Sequence, residues 1–94
     1  MTRENVYKLI DGEREYQDSI WNCNTTSSCG IHTPEEWILY IEDYLAEAKH
    51  ILARRSVATS YPEAMAIFRK VASMCVAAME QRETPPRLQN IPRL

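Results

Sequence analysis

The sequence predicts an all-α fold, a three-helix antiparallel, bundle-like protomer that assembles into a helical homo-oligomer. Apolar residues recur at helical spacing in three separate stretches. Two of these stretches open with a hydroxyl residue, an early proline and a glutamate, which is the signature of a helix start. The last stretch is apolar almost all round, so two neighbours of its own length cannot enclose it and a second copy is expected to cover the rest. With 94 residues, 45% hydrophobic and 26% charged, and only two glycines, the chain makes one folded domain rather than a disordered tail. That domain is expected to span residues 1–82, with residues 83–94 forming a Pro-rich arm.

The first helix is expected from about Thr2 to Trp21, where Val6, Leu9, Ile10, Tyr16, Ile20 and Trp21 share a face. Gly12 lies inside it and costs about 1 kcal/mol against alanine, which suggests a kink or a close backbone approach. Glu13 interrupts the apolar face and reads as a rim carboxylate paired with a basic side chain. The polar run from Asn22 to Gly30 has no periodicity and is a loop. Thr33-Pro34-Glu35-Glu36 then opens the second helix, with Thr33 as cap and Glu36 completing a capping box. Trp37, Ile38, Ile41, Tyr44, Leu45, Ala48, Ile51 and Leu52 follow the helical period, and Arg54-Arg55 close it on the side the helix dipole favours. A connection from Ser56 to Ser60 leads to Ser60-Tyr61-Pro62-Glu63, read as a second capping pattern. The third helix runs from there to about Arg82, with Met65, Phe68, Ala72, Cys75, Val76 and Met79 as its main stripe, widened by Val71, Met74 and Ala78.

Charge and chemistry narrow the function. A formal charge of −2 gives no positive field to hold duplex nucleic acid. No run approaches the roughly 20 apolar residues of a membrane span, and the amino terminus lacks the basic-then-apolar order of a signal peptide. Three cysteines are too few and odd in number for a disulfide framework, so a cytoplasmic, reducing compartment is expected. Cys23, Cys29 and His32 do not have zinc-site spacing and lack a fourth ligand, while Cys75 reads as a small buried hydrophobe, so no metal site and no cofactor are expected. His50 reads as a partner for the helix dipole. There is no glycine-rich phosphate loop and no serine-histidine-acid set, so no catalytic residue is assigned.

Two constellations remain. Asp43 and Glu47, four apart and beside Glu42, look like half of the magnesium site of MazG-like all-α nucleotide pyrophosphohydrolases, but Ile67-Phe68-Arg69-Lys70 stands where that family would present its second acid pair. The other constellation is a binding one. Tyr16, His32 and Thr33 bracket the polar loop, so a hairpin brings a stacking ring, an imidazole and a hydroxyl to one end of the bundle. Pro34 has no amide hydrogen, and Glu35 and Glu36 are acidic, so a phosphate there needs a cation; Arg69 and Lys70, charged on an otherwise apolar helix, are the candidates.

From Met1 to about Arg82 this order of features resembles the small phage proteins that sequester cyclic oligonucleotides of the bacterial CBASS defence. The resemblance rests on Trp21-Asn22 closing the first helix, His32-Thr33 opening an acidic helix with Trp37, and Tyr61, Arg69 and Lys70 preceding an Ala/Val-rich stretch. It implies a homo-hexameric sponge in the cytoplasm of the infected bacterium, binding a cyclic di- or trinucleotide without cleaving it. Residue by residue, it implies that Tyr16 stacks on a base and Thr33 contacts phosphate from another subunit of the same pocket, and that Arg69 belongs to a trinucleotide pocket. Ile31 stands where the family is expected to carry lysine, which points to a trinucleotide or an ADP-ribose-type signal. The alternatives are a MazG-like hydrolase and a protein-interaction module.

Overall fold

A computed structural model describes residues 1–26 and 28–87. Three helices account for its regular structure: α1 Arg3–Ile20, α2 Pro34–Arg54 and α3 Val57–Gln81. No strand is present among the described residues. The expected all-helical, three-helix architecture is therefore observed. Residues 83–87 are exposed and carry no regular structure, while Pro92 and most of the expected arm lie outside the described residues.

The first two helices begin where side chains satisfy orphan amides. Thr2 accepts from the Asn5 amide at α1, at 3.2 Å. At α2 the full capping box forms, with Thr33 Oγ1 accepting from the Glu36 amide at 3.2 Å and the Glu36 carboxylate accepting from the Thr33 amide at 3.0 Å. The third start differs from the sequence expectation. Ser56, not Ser60, is the cap residue of α3, and Pro62 lies inside the helix. Ser60 and Ala64 are 1% and 4% exposed, so the first turns of α3 are buried and the helix begins one turn earlier than the local pattern suggests. Arg55 and Glu63 pair across that turn.

α2 and α3 form an antiparallel hairpin, and α1 packs on α3 rather than on α2. Trp37, Met74 and Ala77 form the core of the hairpin, with Trp21, Ile41, Tyr44 and Ala78 packed against it. The main stripe expected for α3 is corrected here. The helix buries Ser60, Ala64, Ile67, Ser73, Met74 and Ala77, whereas Met65, Phe68 and Met79 are exposed. Arg69, Ser73 and Glu80 of α3 all engage α1, so polar positions of α3 form a docking face.

That docking is mostly polar. Arg14 forms a two-pronged pair with Glu80 at 3.0 and 3.1 Å, Arg69 Nε lies 2.8 Å from Glu13, and Ser73 Oγ donates to the Ile10 carbonyl at 3.4 Å. The Glu13 carboxylate is thus the paired rim acid that the sequence suggested. Gln17, 3% exposed, donates to the Lys70 carbonyl. Gly12 shows no close approach: a Cβ there would meet nothing within 4 Å.

The other face of the hairpin is left bare. Ile38, Leu45 and Leu52 recur every seven residues on α2, and Tyr61, Phe68 and Met79 share a face of α3; all are exposed. Helical periodicity in an antiparallel pair puts both rows on the side away from α1. The radius of gyration, 15.3 Å, exceeds the roughly 12 Å of a compact chain of this length. The protomer is open.

Candidate functional site

The loop between α1 and α2 is built around Gly30. Cys29 and Gly30 both have positive φ, 56° and 79°, and a Cβ on Gly30 would sit 2.7 Å from the Trp21 carbonyl oxygen. Cys23 and Cys29 are joined by a disulfide across this loop. That overturns the reading of the cysteines as unpaired and withdraws their support for a reducing compartment. It also removes both thiolates from any metal site with His32. Cys75 is free and half-buried.

Gln81, the last residue of α3, ties the loop to both helices of the hairpin. Its side-chain Oε1 accepts from the His32 amide and from Trp37 Nε1, each at 3.1 Å, and its Nε2 donates to the Gly30 carbonyl at 2.6 Å. Trp37 is 2% exposed and keeps its indole N–H satisfied in this way.

The loop, α2 and the end of α1 enclose a cavity of about 510 Å³. Five rings line it: Trp21, His32, Trp37, Tyr40 and Tyr44. They are mostly set at steep angles. His32 meets Trp37 and Tyr40 edge-on at 5.1 Å, and Trp21 tilts against Trp37 at 5.9 Å. Two carboxylates, Glu36 and Asp43, share the lining, and among the described residues no lysine or arginine does. Glu36 is held below its ordinary carboxyl value by the Thr33 backbone amide, then by the Thr33 side chain, so it stays ionised.

A smaller hollow of about 130 Å³ adjoins this cavity between α1 and the α2–α3 hairpin, sharing Trp21, Tyr44 and Met74 with it. Glu13, Tyr16 and Lys70 also line it. The Lys70 ammonium sits 5.7 Å from the centre of the Tyr44 ring. Because Arg69 neutralises Glu13, Lys70 gives this hollow a net positive character, opposite to that of the larger cavity.

The residues singled out from sequence are therefore distributed over three places. Tyr16 and Lys70 line the small hollow, and Arg69 is paired with Glu13 at its edge. His32 lines the large cavity, with its Nδ1 at 3.6 Å from Glu36 and 3.5 Å from Ser28. Thr33 is engaged in the α2 capping box, and Ile31 is exposed on the loop. Asp43 faces the large cavity, whereas Glu47, one turn on, is exposed and does not. Among the described residues no three His, Cys, Asp or Glu side chains converge to hold a metal. Trp21, Tyr40, Tyr44 and Gln81 were not assigned a site role from sequence. For Trp21 the signal was present, since it ends the α1 stripe beside the polar loop; Tyr44, in the middle of the α2 stripe, and Gln81 carried none. No helix among the described residues is long and apolar enough to cross a membrane.

Comparison with protein-family models, curated proteins and solved structures gives no match.

Proposed function

We propose that this protein sequesters a cyclic nucleotide signal of bacterial defence without cleaving it, as the resemblance of its sequence implies. The observation that carries the proposal is the small hollow, where an exposed tyrosine ring and a lysine ammonium stand beside a neutralised carboxylate. A base stacks on Tyr16, a contribution of roughly 1–3 kcal/mol, and a phosphate meets Lys70, with Arg69 available if it exchanges Glu13 for the ligand. At about 130 Å³ the hollow holds only part of a cyclic di- or trinucleotide. It reads as a half-site, whose opposite wall comes from Ile31, His32 and Thr33 of a second copy.

Self-association is part of the same proposal. Its support is the bare apolar face of the hairpin, where Ile38, Leu45 and Leu52 run beside Tyr61, Phe68 and Met79. Glu42 and Lys49 flank the α2 row seven residues apart, so two copies related by a twofold axis bring opposite charges together. A face used for self-association and a half-site that needs another wall together favour an assembly with more than one interface, such as the hexamer implied by the resemblance.

The test is to incubate the purified protein with a panel of cyclic di- and trinucleotides and ADP-ribose-type signals, with and without magnesium, then heat it and identify what is released. Depletion followed by recovery of the intact nucleotide supports sequestration, and Tyr16→Ala and Lys70→Ala then abolish the depletion. Cleaved product that appears only with magnesium overturns it in favour of hydrolysis through Asp43 and Glu47. An absence of depletion across the panel overturns it in favour of an interaction module.

A further inference from the structure

The larger cavity does not fit the same ligand. Its walls carry aromatic rings together with two carboxylates, and among the described residues no lysine or arginine lines it; His32 lies 3.6 Å from Glu36. A phosphate placed there would meet Glu36 and Asp43 with no lysine or arginine to neutralise it. We propose that the 510 Å³ cavity is a second binding site, for an organic cation of the alkylammonium type, held by the rings of Trp21, Tyr40 and Tyr44 with Asp43 as its counter-charge.

Four features argue for this ligand class. Three aromatic rings, Trp21, Tyr40 and Tyr44, line one cavity, and an aromatic face attracts a cation whose own hydration is weak. Tyr44 already receives a cation, the Lys70 ammonium, from the neighbouring hollow. The two carboxylates differ in availability. Glu36 is occupied by the Thr33 amide, while Asp43 makes no hydrogen bond or ion pair among the described residues and is free for a ligand. Finally, the volume lies within the range of small-molecule sites and exceeds what an alkylammonium head alone requires, so the natural ligand carries an additional body. The site adjoins the nucleotide hollow, with which it shares Trp21, Tyr44 and Met74, and differs from it in charge, so different ligand classes separate the two.

Calorimetric titration of the full chain with choline and with 3,3-dimethyl-1-butanol, which has the same shape without the charge, tests the proposal. Choline is expected to bind saturably and the neutral isostere roughly tenfold more weakly or worse. Asp43→Asn is expected to weaken choline by about tenfold without lowering the melting temperature, and Tyr40→Leu to weaken it as well. Lys70→Ala, which removes the ammonium beside the Tyr44 ring, is expected not to weaken choline binding. Equal binding of the two probes, an unaltered affinity in Asp43→Asn, or no heat with choline overturns the cation site. None of these results bears on nucleotide depletion, which is measured separately, so the two proposals fail independently.

Discussion

The amide group of Gln81 serves three partners on two segments, the Gly30 carbonyl and the His32 amide of the loop and the Trp37 indole of α2. Truncating it leaves two donors and one acceptor without partners in a partly buried setting, a loss of about 2–4 kcal/mol. Gln81→Ala is therefore expected to lower stability by that amount in urea unfolding. Gln81→Glu keeps the acceptor but sets a carboxylate against the Gly30 carbonyl, so it should recover only part of the loss. The two glycines give opposite expectations under the same measurement. Gly30 has positive φ and no room for a Cβ, so Gly30→Ala destabilises. Gly12 sits in open space within α1, so Gly12→Ala should stabilise by about 0.5–1 kcal/mol.

Among the elements, α1 is the one held by charge. Its pairing of Arg14 with Glu80 holds the Glu80 carboxyl below its ordinary value near 4.5, chiefly through the Arg14 hydrogen bond, and raises the Arg14 guanidinium in turn. A carboxyl depressed in the folded state contributes stability that is fully present above its unfolded value and is lost as pH falls through its folded one. Acidification below about pH 4.5 should therefore loosen α1, and Glu80→Gln should flatten that part of the melting-temperature profile. Hydrogen exchange should show α1 losing protection in high salt before α2 and α3 do. The loop is held covalently as well: replacing both Cys23 and Cys29 by serine reopens a short loop and should cost about 2 kcal/mol. This scale also separates what the sequence made legible from what it hid. The capping box at Thr33 was readable because all its partners are local. The start of α3 was not, because Ser56 and Ser60 are both acceptable caps locally and only the burial of Ser60 and Ala64 in the folded chain separates them. The α3 stripe was misread for a related reason: a helix apolar nearly all round does not tell which side its neighbours take, and here α1 docks through Arg69, Ser73 and Glu80. Tyr16 and Lys70 were legible as candidates, but their meeting in one hollow depends on α1 crossing α3. The cysteine pair was hidden because its geometry depends on the backbone turn at Gly30.

For the whole molecule, the open shape and the bare face of the hairpin have a consequence for concentration dependence. Sedimentation velocity should find an assembly that Leu45→Asp together with Phe68→Asp reduces to protomers, with helicity retained because neither residue is in the α2–α3 core. A monomer for the unaltered chain at all accessible concentrations would remove the self-association proposal. The placement of the aromatic residues has an optical consequence as well. The chain has two tryptophans, Trp21 and Trp37, and both lie at the loop end of the molecule with their rings 5.9 Å apart. Intrinsic emission is thus blind to the opposite end, where Arg54, Arg55 and Ser56 turn the chain, while far-ultraviolet ellipticity averages over all three helices. Two melts recorded on one sample, one in emission and one in ellipticity, would therefore act as a local and a global thermometer. The local one is expected to read its transition first, since the Trp37 indole N–H and the loop beside it share one anchor, the Gln81 side chain.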